Sequence, residues 1–481
     1  MRSKNGVLIP FLAAGIAAAL LCSCSSTRQD SVPQSGTGTD LTVKRLTDNE
    51  GLDAYNLCAM EDHVYFSGIG LNGRELFVTD GTRQGTYELK DINPFGNSSP
   101  GWPTASNGTL FFAAEDGDNG VELWKSDGTN TGTVMIKNIY RASDGSNPEY
   151  LLDAGNGTIY FRATDEDHGE ELWVSDGTAD GTRLVMDINV GPEGSFPTPE
   201  IIFDGFLLFS ADDGRNGREL WKSDGSQQGT FQIKNIGTVG DSKPGHMVEV
   251  MGIVYFAATD FDTGRELWRT DGTETGTKLV MDIAVRDGRE LSSNPTNLWS
   301  RNGVLYFGAD DGWSGNELWR SDGTEAGTWM VSDLNPGPEG SGPIGLGTPG
   351  GFALLAADDG SQGRELWRVG DNEESLILVS DLNNQEDGLL PPLKNEYFGY
   401  GRIAAGGGMI FLADDGIIGV EPWFSDGTAS GTRPVVDANP HGGGPNPSFF
   451  ENARGFAVMD GSVFFGASDG IDYHLWSVSH W

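Results

Sequence analysis

The feature that most constrains the fold is an eight-residue motif that recurs along the chain. It is ELWKSDGT at 122–129, ELWVSDGT at 171–178, ELWRSDGT at 317–324 and EPWFSDGT at 421–428. Its first residue falls at nine positions that are 47 to 56 residues apart: Glu75, Glu122, Glu171, Glu219, Glu266, Glu317, Glu365, Glu421 and His474. A period of this length is typical of arrays in which each copy is one supersecondary unit. The motif therefore predicts a repeat protein.

Each repeat contains four short apolar segments bounded by Gly, Asn, Asp or Pro, a pattern that predicts four strands. The second segment is apolar on both of its alternating faces. Val304 and Tyr306 point one way, whereas Leu305 and Phe307 point the other. A sheet with one wet face would alternate apolar and polar residues instead. Four-stranded sheets stacked around an axis cover both faces, so the sequence predicts an all-β chain that forms a single β-propeller.

The two ends of the repeat array predict how the ring closes. LTVKRLT (41–47) is similar to a fourth strand with no first three strands before it, and the last repeat stops after three strands. The N-terminal strand can complete that last blade, which removes an exposed sheet edge. Nine blades result. The repeat between Glu365 and Glu421 departs most from the pattern, so eight blades with an irregular insertion is the alternative.

The recurring letters resemble those of the ELWxxDGT-repeat proteins, a family of exported bacterial proteins. The resemblance covers roughly residues 41–481, and the same letters recur at fixed spacing within each motif. It implies a repeat architecture on a secreted or surface protein, and it implies no particular activity.

The N-terminal segment predicts export from the cytoplasm. Arg2 and Lys4 precede the apolar run GVLIPFLAAGIAAALL (6–21), which is typical of a signal peptide and short for a membrane span. The run ends in LCSC, which resembles the bacterial lipobox and implies a signal peptide of residues 1–23. The alternative is ordinary signal cleavage, which would give a secreted protein.

The lipobox resemblance implies that Cys24 is the lipidated first residue of the mature chain. A serine after such a cysteine implies the outer membrane of a Gram-negative bacterium, and Ser25 fits. Residues 24–40 contain almost no apolar side chain, which predicts a flexible tether between the anchor and the propeller of residues 41–481. The predicted membrane contact is therefore a lipid anchor.

The charge of the chain limits its direct partners. Asp and Glu number 70 against 31 Lys and Arg, which gives a formal net charge of −39. Nucleic acid and anionic lipid headgroups are not expected as direct partners, because phosphate binding needs clustered cations. The charge favours a cation, a basic protein or a polyhydroxylated glycan.

The Asp-Gly pair of the motif predicts a tight turn between the third and fourth strands, because Gly adopts positive φ and the carboxylate accepts nearby backbone amides. The aspartates are Asp127, Asp176, Asp224, Asp271, Asp322 and Asp426. The Trp of the motif predicts a large ring packed between blades, and a sugar-stacking platform is the alternative. The tryptophans are Trp124, Trp173, Trp221, Trp268, Trp319, Trp367, Trp423 and Trp476.

The loop between the second and third strands supplies candidate metal ligands. Three copies carry two acids separated by one residue: Asp116 with Asp118, Asp165 with Asp167, and Asp260 with Asp262. Alternate carboxylates together with a loop carbonyl suit Ca²⁺, which prefers oxygen ligands. The alternative is an Asp that caps the turn next to a Gly in the left-handed conformation.

No catalytic motif stands out, and the six histidines show no ligand spacing. The acids recur with the repeat, whereas a single catalytic centre would break the symmetry. These features predict a non-enzymatic, outer-membrane-anchored propeller that binds a protein or glycan through its acidic, variable loops, for adhesion or envelope assembly. The alternative is a carbohydrate-active enzyme, either a glycosidase or a lyase, because propeller glycosidases use carboxylates from different blades.

Overall fold

The computed structural model describes residues 41–47, 52–286, 289–383, 387–389, 402–418, 420–438, 455–469 and 471–479. Regular structure in these ranges is β-strand, apart from one short 3₁₀ turn at Pro349–Gly351. The predicted signal peptide (1–23), the tether (24–40) and Cys24 lie outside the described residues.

The strands form nine four-stranded antiparallel sheets, each of which is one blade of a β-propeller. Blade 1 contains β2 (Tyr55–Met60), β3 (His63–Ile69), β4 (Arg74–Thr79) and β5 (Tyr87–Lys90). Blade 2 contains β6 (Gly101–Ser106), β7 (Thr109–Glu115), β8 (Val121–Ser126) and β9 (Val134–Lys137). Blade 3 contains β10 (Glu149–Asp153), β11 (Ile159–Asp165), β12 (Gly169–Ser175) and β13 (Arg183–Met186). Blades 4 and 5 contain β14 (Thr198–Phe203), β15 (Phe206–Asp212), β16 (Arg218–Ser223) and β17 (Phe231–Lys234); and β18 (Gly245–Val250), β19 (Ile253–Asp260), β20 (Gly264–Thr270) and β21 (Lys278–Met281).

A two-stranded hairpin follows blade 5 and consists of β22 (Val285–Arg286) and β23 (Arg289–Glu290). Blades 6 and 7 contain β24 (Thr296–Arg301), β25 (Val304–Asp310), β26 (Asn316–Ser321) and β27 (Trp329–Ser332); and β28 (Ile344–Gly347), β29 (Leu354–Asp358), β30 (Arg364–Val369) and β31 (Leu376–Ser380). Blades 8 and 9 contain β32 (Arg402–Ala405), β33 (Gly408–Asp414), β34 (Val420–Ser425) and β35 (Arg433–Pro434); and β36 (Ala457–Met459), β37 (Ser462–Ser468), β38 (Tyr473–Ser479) and β1 (Thr42–Arg45).

The N-terminal strand closes the ring, as predicted. β1 pairs antiparallel with β38, so that Thr42 lies opposite Ser479. The blade count of nine is also confirmed, and the alternative of eight is wrong. The divergent repeat forms the complete blade β28–β31, in which a different turn replaces the SDGT turn: the Gly370 N–H donates to the Ser375 carbonyl at 2.9 Å.

The apolar core lies between the blades. One cluster of buried side chains fills each of the nine interfaces, including the one between blades 9 and 1. In blade 6, Tyr306 packs toward blade 7, whereas Leu305 and Phe307 pack toward blade 5. Both faces of the second strand are therefore covered, which is why both are apolar in the sequence. Each such side chain contributes about 1.5–3 kcal/mol of burial free energy.

The ring has two different faces. First strands of neighbouring blades contact one another, for example β2 with β6 and β6 with β10, so the first strands surround the axis. The connections between blades bond to the start of the third strand; the Asn147 N–H, for instance, donates to the Val121 carbonyl at 3.0 Å. These connections therefore share one face with the loops between second and third strands, and we call it the loop face. The SDGT turns lie on the opposite side, the turn face.

Candidate functional site on the loop face

The motif aspartates organise turns on the turn face. Asp127 Oδ1 accepts hydrogen bonds from the Thr129 N–H at 2.9 Å and from the Thr129 hydroxyl at 2.7 Å, and that hydroxyl accepts from the Gly132 N–H at 2.9 Å. The other copies with the same network are centred on Asp80, Asp176, Asp224, Asp271, Asp322 and Asp426. The carboxylates are thus committed to their own turns.

Both glycines of SDGTxxGT are required by this geometry. Gly128 adopts φ +87, which is in the left-handed region. A Cβ on Gly132 would lie 2.0 Å from Asp127 Oδ1. The repeated turn letters therefore follow from the shape of the turn.

The motif tryptophans lie between blades. Trp124 packs against Met60 and Leu76 of the preceding blade. Seven of the eight rings are only 6–8% exposed, whereas Trp476 is half-buried. Rings as buried as those seven offer no open face on which a sugar could stack.

Sequence reasoning missed the role of the glutamate that opens the motif. Glu317 is fully buried, and its carboxylate accepts four hydrogen bonds. Oε1 accepts from the Asn335 N–H (3.1 Å) and the Ser341 N–H (2.9 Å), and Oε2 accepts from the Leu334 N–H (3.2 Å) and the Ser341 hydroxyl (2.6 Å). Glu75, Glu122, Glu171, Glu219, Glu266 and Glu365 also accept from the connection that follows their blade. Each glutamate therefore ties a loop-face connection to a third strand.

Burial of these glutamates raises their pKa. The pKa of Glu171 rises to about 7, although the hydrogen bond from Ser195 opposes the rise. The pKa of Glu266 also rises to about 7 for the same reason, against the hydrogen bond from Ser293. A raised carboxyl pKa often marks an active site, but here it accompanies a repeated structural contact.

The acid pairs proposed as calcium ligands lie in loop-face turns. Asp116 Oδ1 accepts from the backbone N–H groups of Asp118 (2.9 Å) and Asn119 (2.8 Å). Asp165 and Asp260 cap their turns in the same way, with Asp167 and Asp262 as backbone donors. Within the described ranges, no group of three or more His, Cys, Asp or Glu side chains is placed to hold a metal ion. This geometry is that of a turn cap, and calcium binding remains a prediction.

The loop face combines exposed acids with exposed apolar side chains. The acids include Asp118, Glu166, Asp167, Glu193 and Asp262. The exposed apolar residues, all more than half exposed, include Leu71, Phe95, Val190, Val239, Phe261, Trp313, Ile417 and Ile471. They lie in separate loops and connections around the ring, and such variable loops on a repeated scaffold are where binding residues concentrate.

Cys58 is the cysteine within the described residues, and it is a free thiol. Burial raises the pKa of the Cys58 thiol to about 11, so this cysteine is not a thiolate nucleophile at neutral pH. None of the described residues forms a helix with the length and hydropathy needed to cross a membrane.

No family model and no curated protein matches this chain. Among solved structures, a puromycin hydrolase matches at 14% identity with a TM-score of 0.38, over 76% of this chain and 59% of that one. A puromycin-hydrolyzing peptidase of Mycobacterium tuberculosis matches at 10% identity with a TM-score of 0.40, over 76% and 58%. A prolyl endopeptidase structure matches at 10% identity with a TM-score of 0.39, over 68% and 49%. This chain thus spans about half to three fifths of those proteins, and a likeness this low carries no argument about its activity.

Proposed function

We propose that this protein is a non-enzymatic scaffold, anchored by lipid to the bacterial outer membrane, that binds a protein or glycan partner through the loop face. The observation that carries the proposal is that the repeated motif residues and the exposed, variable residues lie in different parts of the ring. The motif residues are used in turns and blade interfaces, whereas exposed acidic and apolar side chains lie in connections that differ from blade to blade.

The anchor of the proposal is Cys24, joined to the propeller by the tether of residues 24–40. The propeller begins at Leu41, next to the Thr42–Ser479 pair at the turn-face end of β38. Two or more acyl chains on Cys24 would hold the protein stably, because each buried methylene contributes about 0.8 kcal/mol.

Fractionation of cells tests the anchor. Wild-type protein is expected in the outer-membrane fraction, and Cys24→Ala is expected in the soluble fraction. The control Cys58→Ala keeps the predicted lipobox and should stay with the membrane. Membrane attachment of Cys24→Ala equal to that of the wild type would overturn the anchoring.

Capture of partners from the native envelope tests the binding face. A variant that carries Phe95→Ser and Trp313→Ser removes two exposed apolar side chains from the loop face, and we expect it to capture less of the main partner. Met251→Ser is the matched control, because Met251 is also an exposed apolar side chain (85%) but lies in a hairpin on the turn face. Loss of capture in Met251→Ser alone would contradict the assignment.

The competing class, a carbohydrate-active enzyme, is separated from the scaffold by a screen for saccharide hydrolysis and elimination. Turnover that a single acidic substitution abolishes would overturn the non-enzymatic proposal.

A further inference from the structure

Blade 3 breaks the repeat at one position on its second strand. Opposite the Leu that follows the motif glutamate, most blades carry a small residue: Ser67, Ala113, Ser210, Ala257, Gly308, Ala356 and Gly466. Blade 3 has Arg162 there, opposite Leu172. Blade 8 has the apolar Leu412 at this position, opposite Pro422, so the charged side chain of Arg162 is the departure in blade 3.

Two carboxylates hold this arginine in place. Glu149, on the first strand, lies directly opposite Arg162 and forms an ion pair with its guanidinium. Glu170 Oε2 lies 3.2 Å from Arg162 Nε. Glu170 is itself unusual, because blades 1, 4, 5 and 7 have arginine at the same position: Arg74, Arg218, Arg265 and Arg364.

Both carboxylates have capacity left for a ligand. Their side chains are 41% and 36% exposed, whereas that of Arg162 is 19% exposed. Among the described residues, Oε1 of Glu149 and Oε1 of Glu170 accept no hydrogen bond. Two partly exposed carboxylates beside a guanidinium therefore lie at the loop-face end of blade 3.

Aromatic rings complete the cluster. The Arg162 guanidinium lies 4.7 Å from the ring centroid of Tyr150, and that centroid lies 4.8 Å from the ring centroid of Trp102 in blade 2. Phe196, in the connection to blade 4, is 44% exposed, and its N–H donates to the Glu170 carbonyl at 3.1 Å. The rings of Tyr150 and Trp102 thus bring planar apolar surfaces next to Arg162 and its two carboxylates, and Phe196 follows in the neighbouring connection.

The aromatic residues are kept at a cost in backbone strain. Tyr150 and Trp102 both adopt φ 55, in the left-handed region that bulky residues avoid. Blades 1 and 6 have Asn56 and Asn297 at the equivalent bulge, and Asn adopts this conformation more easily. Blade 5 has His246 there with φ 61, so the bulge belongs to the repeat, and what distinguishes blades 2 and 3 is the aromatic side chain that occupies it.

We infer that Arg162, Glu149, Glu170, Tyr150, Trp102 and Phe196 form a binding site for a saccharide that has no acidic groups. Carboxylates and a guanidinium bind neighbouring hydroxyls, and aromatic rings pack on the apolar faces of sugar rings. The three charged side chains sum to −1 on a chain whose net charge is −39, which disfavours acidic sugars. The inference rests on the proposed scaffold function, whose ligand class it names.

The chain offers variants that separate binding from folding. Arg162→Ala gives blade 3 the residue found in blades 2, 5 and 7, and Tyr150→Asn gives it the residue of blades 1 and 6. Arg162→Ala should leave the melting temperature unchanged, whereas Tyr150→Asn should raise it slightly, because Asn adopts the left-handed conformation of this position more easily than Tyr. Arg215→Ala is the matched control, since Arg215 is an exposed cation on the loop face of blade 4.

The test is a glycan array with neutral, amino and acidic oligosaccharides, followed by calorimetric titration with the oligosaccharide that binds best. We expect a neutral or amino saccharide to bind the wild type and Arg215→Ala equally. We expect Arg162→Ala and Tyr150→Asn to bind it about tenfold more weakly or worse.

Three outcomes would overturn the inference: no neutral or amino saccharide binds, only acidic ones bind, or both variants bind as tightly as the wild type. A large fall in melting temperature in Arg162→Ala together with unchanged saccharide binding by Tyr150→Asn would show a purely structural cluster. Capture of an envelope protein that both variants retain would leave the scaffold function standing without this site.

Discussion

The buried glutamates make a sharp prediction about stability, and Glu317 is the best place to test it. Glu317→Ala removes the acceptor of the Leu334, Asn335 and Ser341 N–H groups and of the Ser341 hydroxyl. A buried donor left without a partner costs about 1–3 kcal/mol. Ser341 is fully buried, whereas Leu334 and Asn335 are half-buried and regain some water. The expected loss in free energy of unfolding is therefore about 3–5 kcal/mol.

Two companion variants test the reasoning behind that magnitude. In Glu317→Gln, the amide nitrogen can face the Ser341 hydroxyl, which rotates to accept, so mainly the Leu334 N–H loses its partner. The expected loss is about 1–2 kcal/mol. Glu325→Ala removes an exposed glutamate from the turn of the same blade and should change stability by less than about 0.5 kcal/mol.

Urea unfolding, followed by tryptophan fluorescence, measures the free energy of unfolding of all three variants. Their midpoints can be compared directly when the dependence of that free energy on urea concentration is the same. The expected order of destabilisation is Glu317→Ala, then Glu317→Gln, then Glu325→Ala. A loss below about 1 kcal/mol for Glu317→Ala would show that the connection finds other acceptors and that the glutamate does not hold it.

Gly132→Ala should destabilise the protein by about 1–3 kcal/mol, because the added Cβ would lie 2.0 Å from Asp127 Oδ1, whereas the neighbouring Thr131→Ala should be nearly neutral in the same unfolding assay. Between pH 4.5 and about 7 the unfolding midpoint should fall as pH rises, because Glu171 and Glu266 have raised pKa values and the folded state binds the extra protons. Turn carboxyls such as Asp127 have lowered pKa values and should add stability that is lost as pH falls below about 3.8. A midpoint that rises from pH 4.5 to pH 7 would contradict the sign for the glutamates, and a midpoint that rises as pH falls below 3.8 would contradict the sign for the turn carboxyls. Calcium bound at the acid pairs would raise the melting temperature above that in chelator, and an unchanged melting temperature would rule out structural calcium.

The architecture was predictable because its signals are periodic. Second strands such as 304–309 are apolar on both faces, which requires a neighbour on each side, and the incomplete first and last repeats predict closure. The hydrogen bonds of the motif glutamates could not be predicted from this periodicity. The partners of Glu317 lie 17 to 24 residues further on, in a connection whose sequence changes from blade to blade. The recurring Ser in those connections was the available signal.

The cluster around Arg162 could not be predicted for a different reason. Its ion pair with Glu149 depends on the register of two strands, and a bulge shifts that register between Glu149 and Leu152. Sequence spacing alone does not place such a bulge. The acid pairs show the converse case: the letters at Asp116 and Asp118 suit a cation, but the backbone turns so that Asp118 contributes its N–H.

The measurement that tests the account most directly is hydrogen–deuterium exchange of the lipidated protein, alone and with its partner in solubilised native envelope. Protection is predicted in loop-face segments such as 70–73, 91–100 and 166–170, with no change in the SDGT turns at 80–85 and 127–132. Protection confined to those turns would contradict the claim that the repeated motif builds the ring while the loop face binds.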